Sequence, residues 1–598
     1  MKFTHLTSEA EIRKLIAYHN ANSTHVVLDF ETTDKDPRKA KLIDIQMSGE
    51  VKDTAVMFDG SFLPLLLELK SRLVLWNYKY DFKVAYLHGV DLREKFVHDG
   101  MLLDHLVDEN REHNLDSHIQ EKYKDDYKEK FWTKYKNYLE APFEERLDYG
   151  CRDIVYTDRI YRSLLRAIRT HSIPDSLIDH VHRLARALLD TELEGIKVDL
   201  PYCIQMGSEL KAEIIKTEQE LRTLGGYHCD VIELQQWSKE IEKAWTPKGK
   251  KWMTLPKPEF NFSSSDQVAR LLYDQLRLPA QFSKKSKNRT VDDKALEFLE
   301  GQHPIIPEIR KLRKYSKMYT AFIENTLEKV QESRIYPSFN VNGTVTGRIS
   351  HSEPNMGQMP SKGDWAKIRG IFVPDPGHKL VTCDYSQLEV CIAAHFSMDK
   401  NLLKIIHEGV SKHDLTAEGV GLPRHIAKTL NFAMQYQCSP RKVMDIVGCS
   451  EKDAELIWNK YWETYAGEKK VIDECKAKVD RGEPIVNPFG RRRRFPTKFQ
   501  APWEKEAAYR QAYSSLIQGT GGDITSRAFY LIAEQMQVRN LGRAWFTIHD
   551  EVLAQPKEAC VAEARELISS KMVAVGKEIS LRIPLAVDCS EPLGRWQK

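Results

Sequence analysis

The sequence predicts a multidomain protein in which an N-terminal α/β domain precedes α+β domains, and three observations lead to this fold class. The 598 residues exceed the size of one domain, and at about 150 residues per domain they suggest roughly three to five units. Strand-like and helix-like segments alternate through residues 1–185, as in mixed α/β domains. In the C-terminal half, two apolar strands that carry acidic residues are separated by a helical segment.

Polar side chains with the chemistry of metal ligands occur in three segments of the N-terminal third. The first is an apolar strand with two carboxylates at alternate positions, which places both on one face. The second is an apolar strand that runs into an amide and a carboxylate, and the third has a tyrosine and an aspartate four residues apart, which are neighbours in a helix. Each segment alone is ordinarily a strand-end acid or a tyrosine packed on its own turn. The residues are Asp29 and Glu31 in Val26–Thr33, Asn77 and Asp81 in Leu73–Asp81, and Tyr149 and Asp153.

The strongest functional signal is a pair of acidic strands in the C-terminal half. One apolar run ends at Asp384, and Glu389 follows five residues later. Its partner is a second apolar strand that carries His549, Asp550 and Glu551. Hard cations such as Mg²⁺ prefer oxygen ligands, so paired aspartates on neighbouring strands are typical of a two-metal phosphoryl-transfer site.

The segment between these strands predicts a helix with a functional face. Residues 423–436 lack Gly and Pro after the first turn, and the helix is expected to end before Pro440. At 100° per residue, Arg424, Lys428, Asn431 and Phe432 fall on one stripe. Two cations and a flat ring on one face favour a triphosphate clamp over an ordinary amphipathic surface helix.

The charge distribution indicates a nucleic-acid partner. The net charge is only +3, so an even distribution would bind DNA weakly. Basic residues are instead clustered, and such a cluster is either a solvated loop or a contact to phosphates. We expect phosphate contacts from Lys248–Lys251, from Lys284–Lys287 with Arg289, and from Arg491–Arg494.

The cysteines and the N-terminus bear on the cellular compartment. The ten cysteines form no CxxC pair and no zinc-like spacing with histidine, so the sequence predicts neither a disulfide framework nor a zinc site. We expect reduced thiols in a cytoplasmic protein. The N-terminus lacks a secretory apolar core, and no apolar run reaches the length of a membrane helix.

Motif blocks in the C-terminal two thirds resemble the DNA polymerase I family, also called family A. The strand that ends at Asp384, the helix that begins near Arg424 and the segment around Asp550 are similar to its motifs A, B and C. Three further blocks match the family, and the resulting six blocks in the right order are highly specific. The three are Phe260–Gln267 at the base of the thumb, Thr346–Ser350 followed by Pro354–Pro360, and Arg510 with Ile517–Asp523 before motif C.

The three N-terminal segments resemble the DEDD family of 3′→5′ exonucleases, in the variant with a tyrosine in its last motif. The two resemblances imply a ribonuclease H-like exonuclease domain, followed by a right-hand polymerase with a thumb, a palm built on an antiparallel sheet, and helical fingers. Because the chain begins with the exonuclease, we expect no 5′ nuclease domain. The implied domains are exonuclease 1–185, thumb 186–334, palm 335–400, fingers 401–499 and palm again 500–598.

The resemblances also imply roles for single residues. In the exonuclease, Tyr149 would orient the attacking water, and four carboxylates would hold two metals. In the polymerase, two aspartates would bind two Mg²⁺ ions, for which Mn²⁺ is a substitute, with Glu551 and His549 as support. The metal ligands are Asp29, Glu31, Asp81 and Asp153 in the first site and Asp384 and Asp550 in the second. The nucleotide contacts are Arg424, Lys428, Phe432, Tyr436, Glu389 and Gln387, with Lys428 also protonating pyrophosphate, and the DNA contacts are Arg348, Arg510, Gln518, His549 and Asn77.

The chain departs from the family pattern at a few positions. The connection from His413 to Arg424 is short, as in compact phage-type polymerases. Gln437 stands where the family usually has Gly after the motif B tyrosine, so we expect the hinge of the fingers to differ from that of the family. Cys391 and Ser514 replace an Arg and an Asn, so the family's template or minor-groove contacts are not carried over to these two positions.

We therefore predict a template-directed DNA polymerase with 3′→5′ proofreading that acts on primer-template DNA and dNTPs. We expect a monomer without membrane attachment that binds a processivity or replisome accessory protein. The segment 225–259 contains Trp237, Trp245 and Trp252. It would grip DNA, bind this accessory protein or form only an exposed loop. One alternative is a single-subunit RNA polymerase, against which Glu389 and the complete exonuclease argue. The other is a nucleic-acid-binding scaffold with inactive sites, which intact carboxylates at all six metal positions disfavour.

Overall fold

The structure, a computed structural model, describes residues 1–225, 260–283, 286–435 and 437–597. It divides the chain into two compact units. The first unit contains Met1–Ile196, Tyr336–Gln358 and Pro374–Gly594, and the second contains Lys197–Ile335, Met359–Val373 and Arg595–Lys598. The predicted exonuclease boundary at residue 185 falls inside the helix Asp175–Glu194, and the first unit continues to Ile196.

The N-terminal part of the first unit is a six-stranded mixed sheet with helices, in the order β1-β4-β3-β2-β5-β6. β2 is central: it is antiparallel to β3 and parallel to β5, so its carboxyl end lies among several elements. Its apolar residues are buried, whereas its two acids are half-buried where the strand ends. The strands are β1 Lys2–His5, β2 His25–Thr32, β3 Leu42–Ser48, β4 Thr54–Asp59, β5 Arg72–Leu75 and β6 Val97–Asp99, and the helices are α1 Glu9–Asn22, α2 Tyr78–Leu87, α3 Gly100–Val107, α4 Leu115–Tyr123, α5 Tyr127–Lys134, α6 Phe143–Thr170 and α7 Asp175–Glu194.

The described part of the second unit is mainly helical. The Asn261 side chain accepts from the Ser263 N–H, and Ser264 caps the next helix through the Gln267 N–H. This turn leads into a core of aliphatic side chains from several helices, including Leu271, Leu296 and Ile309. The elements from residue 196 to residue 335 are β7 Ile196–Lys197, α8 Leu200–Gly225, α9 Ser265–Ala269, α10 Asp293–Phe298, α11 Ile305–Met318, α12 Asn325–Lys329 and β8 Arg334–Ile335.

The C-terminal part of the first unit is built on an antiparallel sheet in the order β14-β15-β11-β16. The long helix Pro502–Val538 and the helix Val561–Glu578 pack on this sheet. A group of shorter helices lies in the sequence between the first strand of the sheet, Val381–Tyr385, and the second, Gly542–Ile548. The strands are β9 Ser338–Asn340, β10 Ser350–Ser352, β11 Val381–Tyr385, β12 Ile485–Val486, β13 Arg492–Arg493, β14 Gly542–Ile548, β15 Glu551–Pro556 and β16 Val587–Cys589, and the helices are α13 Leu388–Ser397, α14 Lys400–Glu408, α15 Lys412–Val420, α16 Arg424–Gln435, α17 Pro440–Val447, α18 Glu451–Thr464, α19 Ala466–Asp480, α20 Pro502–Val538 and α21 Val561–Glu578.

A disulfide joins Cys383 in β11 to Cys589 in β16, so the expectation that all cysteines are reduced thiols was wrong. The two residues are directly opposite each other in the antiparallel register, and their Cα atoms are 4.1 Å apart. They are 206 residues apart in sequence, so spacing could not reveal the pair. The bond links the strand that carries Asp384 to the last strand of the sheet.

Arg491 is buried in an ion pair, which corrects the expectation that the whole cluster at 491–494 contacts phosphates. Its Nη2 donates to Oδ1 of Asp523 at 2.7 Å, and its Nε donates to Oδ2 at 2.9 Å. Asn487 Nδ2 donates to the same Oδ2 at 2.7 Å, and His180 Nε2 lies 3.2 Å from Oδ1. A carboxylate on α20 therefore neutralises this arginine and connects it to α7.

Arg493 and Arg494 pair with Glu109, so part of their charge is neutralised within the protein. Arg494 Nη1 is 2.7 Å from Glu109 Oε2, and Arg493 Nη1 is 3.3 Å from Oε1. Glu109 is buried and lies just after α3. The partner is almost 400 residues away in sequence, and only folding brings it to the basic cluster.

Replacing Asp523 by alanine is expected to destabilise the protein by about 3–5 kcal/mol, because it leaves Arg491 buried without its counter-ion. Burial alone would raise the pKa of Asp523, but Arg491 holds it far below its usual value. A carboxylate with a lowered pKa stabilises the fold above its unfolded value, so the wild-type advantage should be complete at pH 7 and shrink only below about pH 4. Urea unfolding of the wild type and of Asp523→Ala, at pH 7 and below about pH 4, measures this difference in stability.

The control is the exposed variant Asp445→Ala, which loses only a 3.7 Å contact to Lys442 and should change stability by less than about 0.5 kcal/mol. An equal loss of stability in both variants would contradict the prediction.

The described ranges contain no helix that is long and apolar enough to cross a membrane.

Candidate active sites

Asp384 and Asp550 lie together at one end of the antiparallel sheet. Asp384 is near the end of β11, directly opposite Glu551, the first residue of β15. Asp550 immediately precedes β15, and its carbonyl accepts from the Tyr385 N–H at 3.3 Å. The two carboxyl groups are close enough for Asp384 to raise the pKa of Asp550. Two carboxylates far apart in sequence thus share one site.

The segment predicted as a single acidic strand is a hairpin. β14 ends at Ile548, His549 and Asp550 form the turn, and β15 begins at Glu551. His549 has a φ of 56° and is exposed, which is a turn conformation that histidine tolerates better than most residues. The sequence could not reveal the turn, because apolar residues continue on both sides of the acids.

The charge of this pair favours a divalent cation. Burial, followed by the neighbouring Asp384, raises the pKa of Asp550 to about 6. Glu551, which follows Asp550 in sequence, is buried and 3% exposed. Half-buried carboxylates that repel one another are a donor set of hard oxygens, and Mg²⁺ or Mn²⁺ would relieve this repulsion.

Glu389 in the first turn of α13 is held by two partners. Its Oε1 accepts from Arg348 Nη2 at 2.9 Å, and its Oε2 accepts from Gln435 Nε2 at 2.7 Å. It lines a cavity together with Phe432 and Gln518. Glu389 therefore connects the segment before β10 with α16 at the wall of this cavity.

α16 presents three of its four predicted stripe residues to solvent. Arg424, Lys428 and Phe432 are exposed, with Phe432 at 55%, and Arg424 Nε is 2.6 Å from Asp414. Asn431 is buried instead, because its amide is bonded to groups of α15 and α18. The exposed face of this helix therefore consists of the two cations and the phenyl ring, without the predicted asparagine.

Of the remaining predicted contacts of the polymerase, Gln518 lines this cavity, whereas Arg510 lines a different one. Gln387 precedes α13 with a φ of 52° and is exposed, as is Arg510 on α20. The backbone carbonyl of Gln518 is 3.4 Å from Arg348 Nε. Tyr436 lies outside the described residues. The basic clusters Lys248–Lys251 and Lys284–Lys285 and the three tryptophans of 225–259 lie outside them as well. Arg289 is described, and it pairs with Asp274 at 2.5 Å.

The three departures from the family pattern have different environments. Cys391 is buried in α13, so its side chain faces the protein interior, and burial raises its pKa to about 11. Gln437 has a φ of 50°, a left-handed conformation that a glycine adopts without steric cost. The turn after α16 thus keeps a conformation suited to glycine although the residue is glutamine. Ser514 lines the same cavity as Glu389.

The second group of acids lies at the end of β2. Single oxygen atoms of Asp29, Glu31 and Asp153 all lie within 4.8 Å of one another, a spacing that could hold a metal ion. Asp29 and Glu31 point from one face of β2, and Asp153 comes from α6. α6 packs against β2, and this packing closes the group.

Asp81 is near this group but outside the set of three. It is buried in α2, and not in the strand, which ends at Leu75. Burial, followed by Asp29, raises its pKa well above the usual value. Asn77 precedes α2 with a φ of 69° and makes no side-chain cap.

The acids of this site strongly favour a bound cation. Burial, followed by Asp153, raises the pKa of Asp29 to about 7. Burial, followed by Asp29, raises the pKa of Glu31 well above its usual value. Carboxylates that resist ionisation in the metal-free protein would ionise beside a divalent cation, and the oxygen-only donor set fits Mg²⁺ or Mn²⁺.

Tyr149 lies one turn before Asp153 on α6, as the four-residue spacing predicts. Its hydroxyl accepts from Trp132 Nε1 at 3.1 Å, and its ring packs on Phe131 with centroids 4.3 Å apart. Burial, followed by Asp153, raises the pKa of Tyr149, so it is a neutral phenol. A neutral hydroxyl beside carboxylates can donate to, or accept from, a water molecule.

Sequence reasoning missed the residues of α5. Tyr127 donates to Asp153 Oδ1, Lys128 Nζ is 2.7 Å from Asp153 Oδ2, and Trp132 holds Tyr149. The segment 121–137 is rich in lysines and aromatic residues and has no motif. Only the docking of α5 beside α6 brings these side chains to the acids.

Comparison with protein families matches nearly the whole chain. Residues 231–597 match the model described as DNA polymerase family A, and residues 3–169 match the model described as 3′-5′ exonuclease. The two models cover the two groups of acids described above.

Curated relatives carry the name DNA polymerase I. The chain is 28% identical to that of Caldicellulosiruptor bescii over 78% of this chain and 52% of the relative, and 29% identical to the thermostable one of Thermus thermophilus over 72% and 49%. The protein of Borreliella burgdorferi is 25% identical over 98% of this chain and 63% of its own length. The chain thus spans about half the length of the first two relatives.

A solved structure has the same fold along the whole chain. It is the POL domain of Pol1 from M. smegmatis in complex with DNA primer-template and dNTP, with a TM-score of 0.82, 21% identity and 99% coverage of both chains.

Proposed function

The chain belongs to DNA polymerase family A, and on this basis we propose that it copies a DNA template from dNTPs and removes mismatched primer ends with its 3′→5′ exonuclease. The observation that carries the proposal is the pair Asp384 and Asp550, which meet at the end of the palm sheet. The curated relatives are named DNA polymerase I, which supports the same activity.

In the proposed polymerase site, Asp384 and Asp550 hold two Mg²⁺ ions, with Mn²⁺ as a substitute, and Glu551 supports them. The ions supply a lowered pKa for the primer 3′-hydroxyl and charge neutralisation at the leaving pyrophosphate. His549, which is exposed in the turn and precedes Asp550 in sequence, would contact the primer terminus.

The exposed face of α16 would bind the incoming nucleotide. Arg424 and Lys428 supply positive charge for the triphosphate, and Phe432 supplies an apolar surface for the sugar or base. Lys428 is the candidate proton donor to pyrophosphate. Tyr436 and Gln387 complete the proposed nucleotide contacts, and Arg348, Arg510, Gln518 and Asn77 are proposed DNA contacts.

In the proposed exonuclease site, Asp29, Glu31, Asp81 and Asp153 hold two further Mg²⁺ ions. The neutral hydroxyl of Tyr149 would position the water that attacks the terminal phosphodiester. Because Trp132 donates to this hydroxyl, the second lone pair and the proton remain for the water.

The proposal extends to domains and partners. We assign the exonuclease to 1–185, the thumb to 186–334, the palm to 335–400 and 500–598, and the fingers to 401–499. The substrates are primer-template DNA and dNTPs. We further propose that the protein acts in the cytoplasm as a monomer that recruits an accessory protein.

A primer-extension assay tests the proposal. Extension with dNTPs but not with rNTPs, and only in the presence of Mg²⁺ or Mn²⁺, is the expected result. Extension with rNTPs would indicate an RNA polymerase, and retention of DNA without extension or digestion would indicate a scaffold.

Replacing Glu389 by alanine is expected to raise rNTP incorporation relative to dNTP incorporation. Its carboxylate is held by Arg348 and Gln435 at the wall of the nucleotide cavity, where it would exclude a ribose 2′-hydroxyl. We expect a change in this ratio of about tenfold or more, since one lost steric or polar contact is worth roughly 1–3 kcal/mol. Overall extension should also fall, because Arg348 and Gln435 lose their partner.

Competition between rNTP and dNTP on one template measures the ratio. The control is Glu408→Ala, at the end of α14, for which the ratio should stay at the wild-type value. An unchanged ratio in Glu389→Ala would remove Glu389 from sugar selection.

A further inference from the structure

Both carboxylate oxygens of Asp153 are occupied by side chains from the first turn of α5. The hydroxyl of Tyr127 donates to Oδ1. Lys128 Nζ lies 2.7 Å from Oδ2 and 3.1 Å from Oδ1 of Asp116. Asp153 is also one of the three acids that could share a metal ion. A protein ammonium group therefore binds a carboxylate that could also ligate a metal.

Lys128 is enclosed within the site. Its side chain is 17% exposed, and that of Asp153 is 6% exposed. Its Nζ lies 5.7 Å from the centre of the Tyr149 ring, which favours a cation at that place. Ion pairs so sheltered from solvent are screened much less than exposed ones. This contact is thus stronger than those that Lys130 and Lys134 of the same helix make at the surface.

The charge of Lys128 acts on the whole group of acids. It lowers the pKa of Asp29 and of Glu31, against the effects of burial and of the neighbouring carboxylates. In the metal-free protein Lys128 therefore does part of what a divalent cation would do, because it offsets the repulsion among the carboxylates. A metal ion at these oxygens and Lys128 would repel each other, and one must yield for the other to bind.

We propose that Lys128 is a positioning residue that competes with the divalent cation for Asp153 and so sets the metal concentration at which the exonuclease becomes loaded. This inference rests on the proposed exonuclease function. It predicts that the wild-type site keeps its shape without metal but binds metal less tightly than its carboxylates alone would.

A purely structural role for Lys128 predicts the opposite effect on metal affinity. If Lys128 only fastened α5 to α6, its removal would loosen Asp153 and weaken metal binding. If it competes, removal of its charge tightens binding. The sign of the change in Kd therefore separates the two roles.

Mn²⁺ binding to the full-length protein provides the test. The parent carries Asp384→Asn and Asp550→Asn, so that the remaining Mn²⁺ binding reports on the exonuclease. Binding that is lost after the further changes Asp29→Asn and Glu31→Gln defines this site. Electron paramagnetic resonance of unbound Mn²⁺ gives Kd without any requirement for activity.

In this parent, Lys128→Met is expected to lower the Kd for Mn²⁺ by about tenfold, because a nearby like charge in a sheltered site is removed. Lys128→Gln, which keeps a hydrogen-bond donor for Asp153, should give the same change and serves if the methionine variant does not fold. Lys128→Arg, which keeps the charge, should stay within about twofold of the parent. The matched control is Lys130→Met, because the Lys130 side chain is 75% exposed and pairs with Asp126. The Kd of this variant for Mn²⁺ should equal that of the parent.

The Mn²⁺ concentration for half-maximal digestion of a single strand should fall in parallel in Lys128→Gln. An unchanged or higher Kd in the neutral variants would overturn the competition and leave the proposed exonuclease standing. If the parent bound no Mn²⁺ at the defined site and digested no strand, the exonuclease assignment would fail, and this inference with it.

Discussion

Alanine in place of Asp550 is expected to reduce primer extension by about a thousandfold or more, while digestion of a single strand persists. Asp550 lies beside Asp384 at the hairpin turn. In the proposed site its loss would remove a ligand of the metal ions whose charge stabilises the transferring phosphoryl group. A loss of about 4 kcal/mol of this stabilisation corresponds to about three powers of ten in rate. The measurement is the rate of single-nucleotide addition at saturating dNTP and Mg²⁺.

The control for Asp550 must separate chemistry from folding. Asp550→Asn keeps the size of the side chain and should lose nearly as much activity as the alanine variant. Asp445→Ala, an exposed acid on α17, should extend primers at the wild-type rate. If Asp550→Ala retained extension within tenfold of wild type, Asp550 would not be a metal ligand. If it lost digestion as well, the two activities would share one site.

The double variant Asp29→Ala with Glu31→Ala is expected to abolish removal of 3′ nucleotides and to leave extension nearly intact. Both acids belong to the group at the end of β2, which is separate in the fold from the sheet that carries Asp384. Loss of two of three clustered oxygens leaves no site for a shared metal, so digestion should fall by at least about a thousandfold. Digestion of a labelled single strand, measured beside extension of a matched primer, gives both rates.

The same variant should be more stable than wild type when metal is removed by a chelator. A carboxyl group whose pKa rises on folding costs stability above its unfolded value, near pH 4, and the cost is complete above its folded value, about 7 for Asp29. The melting temperature of the variant should therefore exceed that of wild type at pH 8, with a smaller difference at pH 4. Mn²⁺ should raise the wild-type melting temperature more than that of the variant. A variant less stable than wild type at pH 8 would contradict the electrostatic account.

Individual residues differ in how far the sequence predicted their place. Alternation along an apolar strand placed Asp29 and Glu31 on one face, and a four-residue spacing placed Tyr149 beside Asp153, because both periods are local properties of the backbone. The helix at 424–435 followed from composition for the same reason. Local periodicity failed at Asn431, whose position on the stripe is outweighed by hydrogen bonds to α15 and α18.

The sequence by itself determined which acids are available for metal chemistry and which family the motif order resembles, because residue type and spacing carry that information. Only the tertiary structure decided which distant side chains become partners. It paired Arg491 with Asp523, joined Cys383 to Cys589, and brought Lys128 to Asp153. These partners are separated by 25 to 206 residues, and no local rule connects them. Their contacts exist because sheet register and helix packing bring distant segments together, and burial then makes each unpaired charge too costly to leave alone.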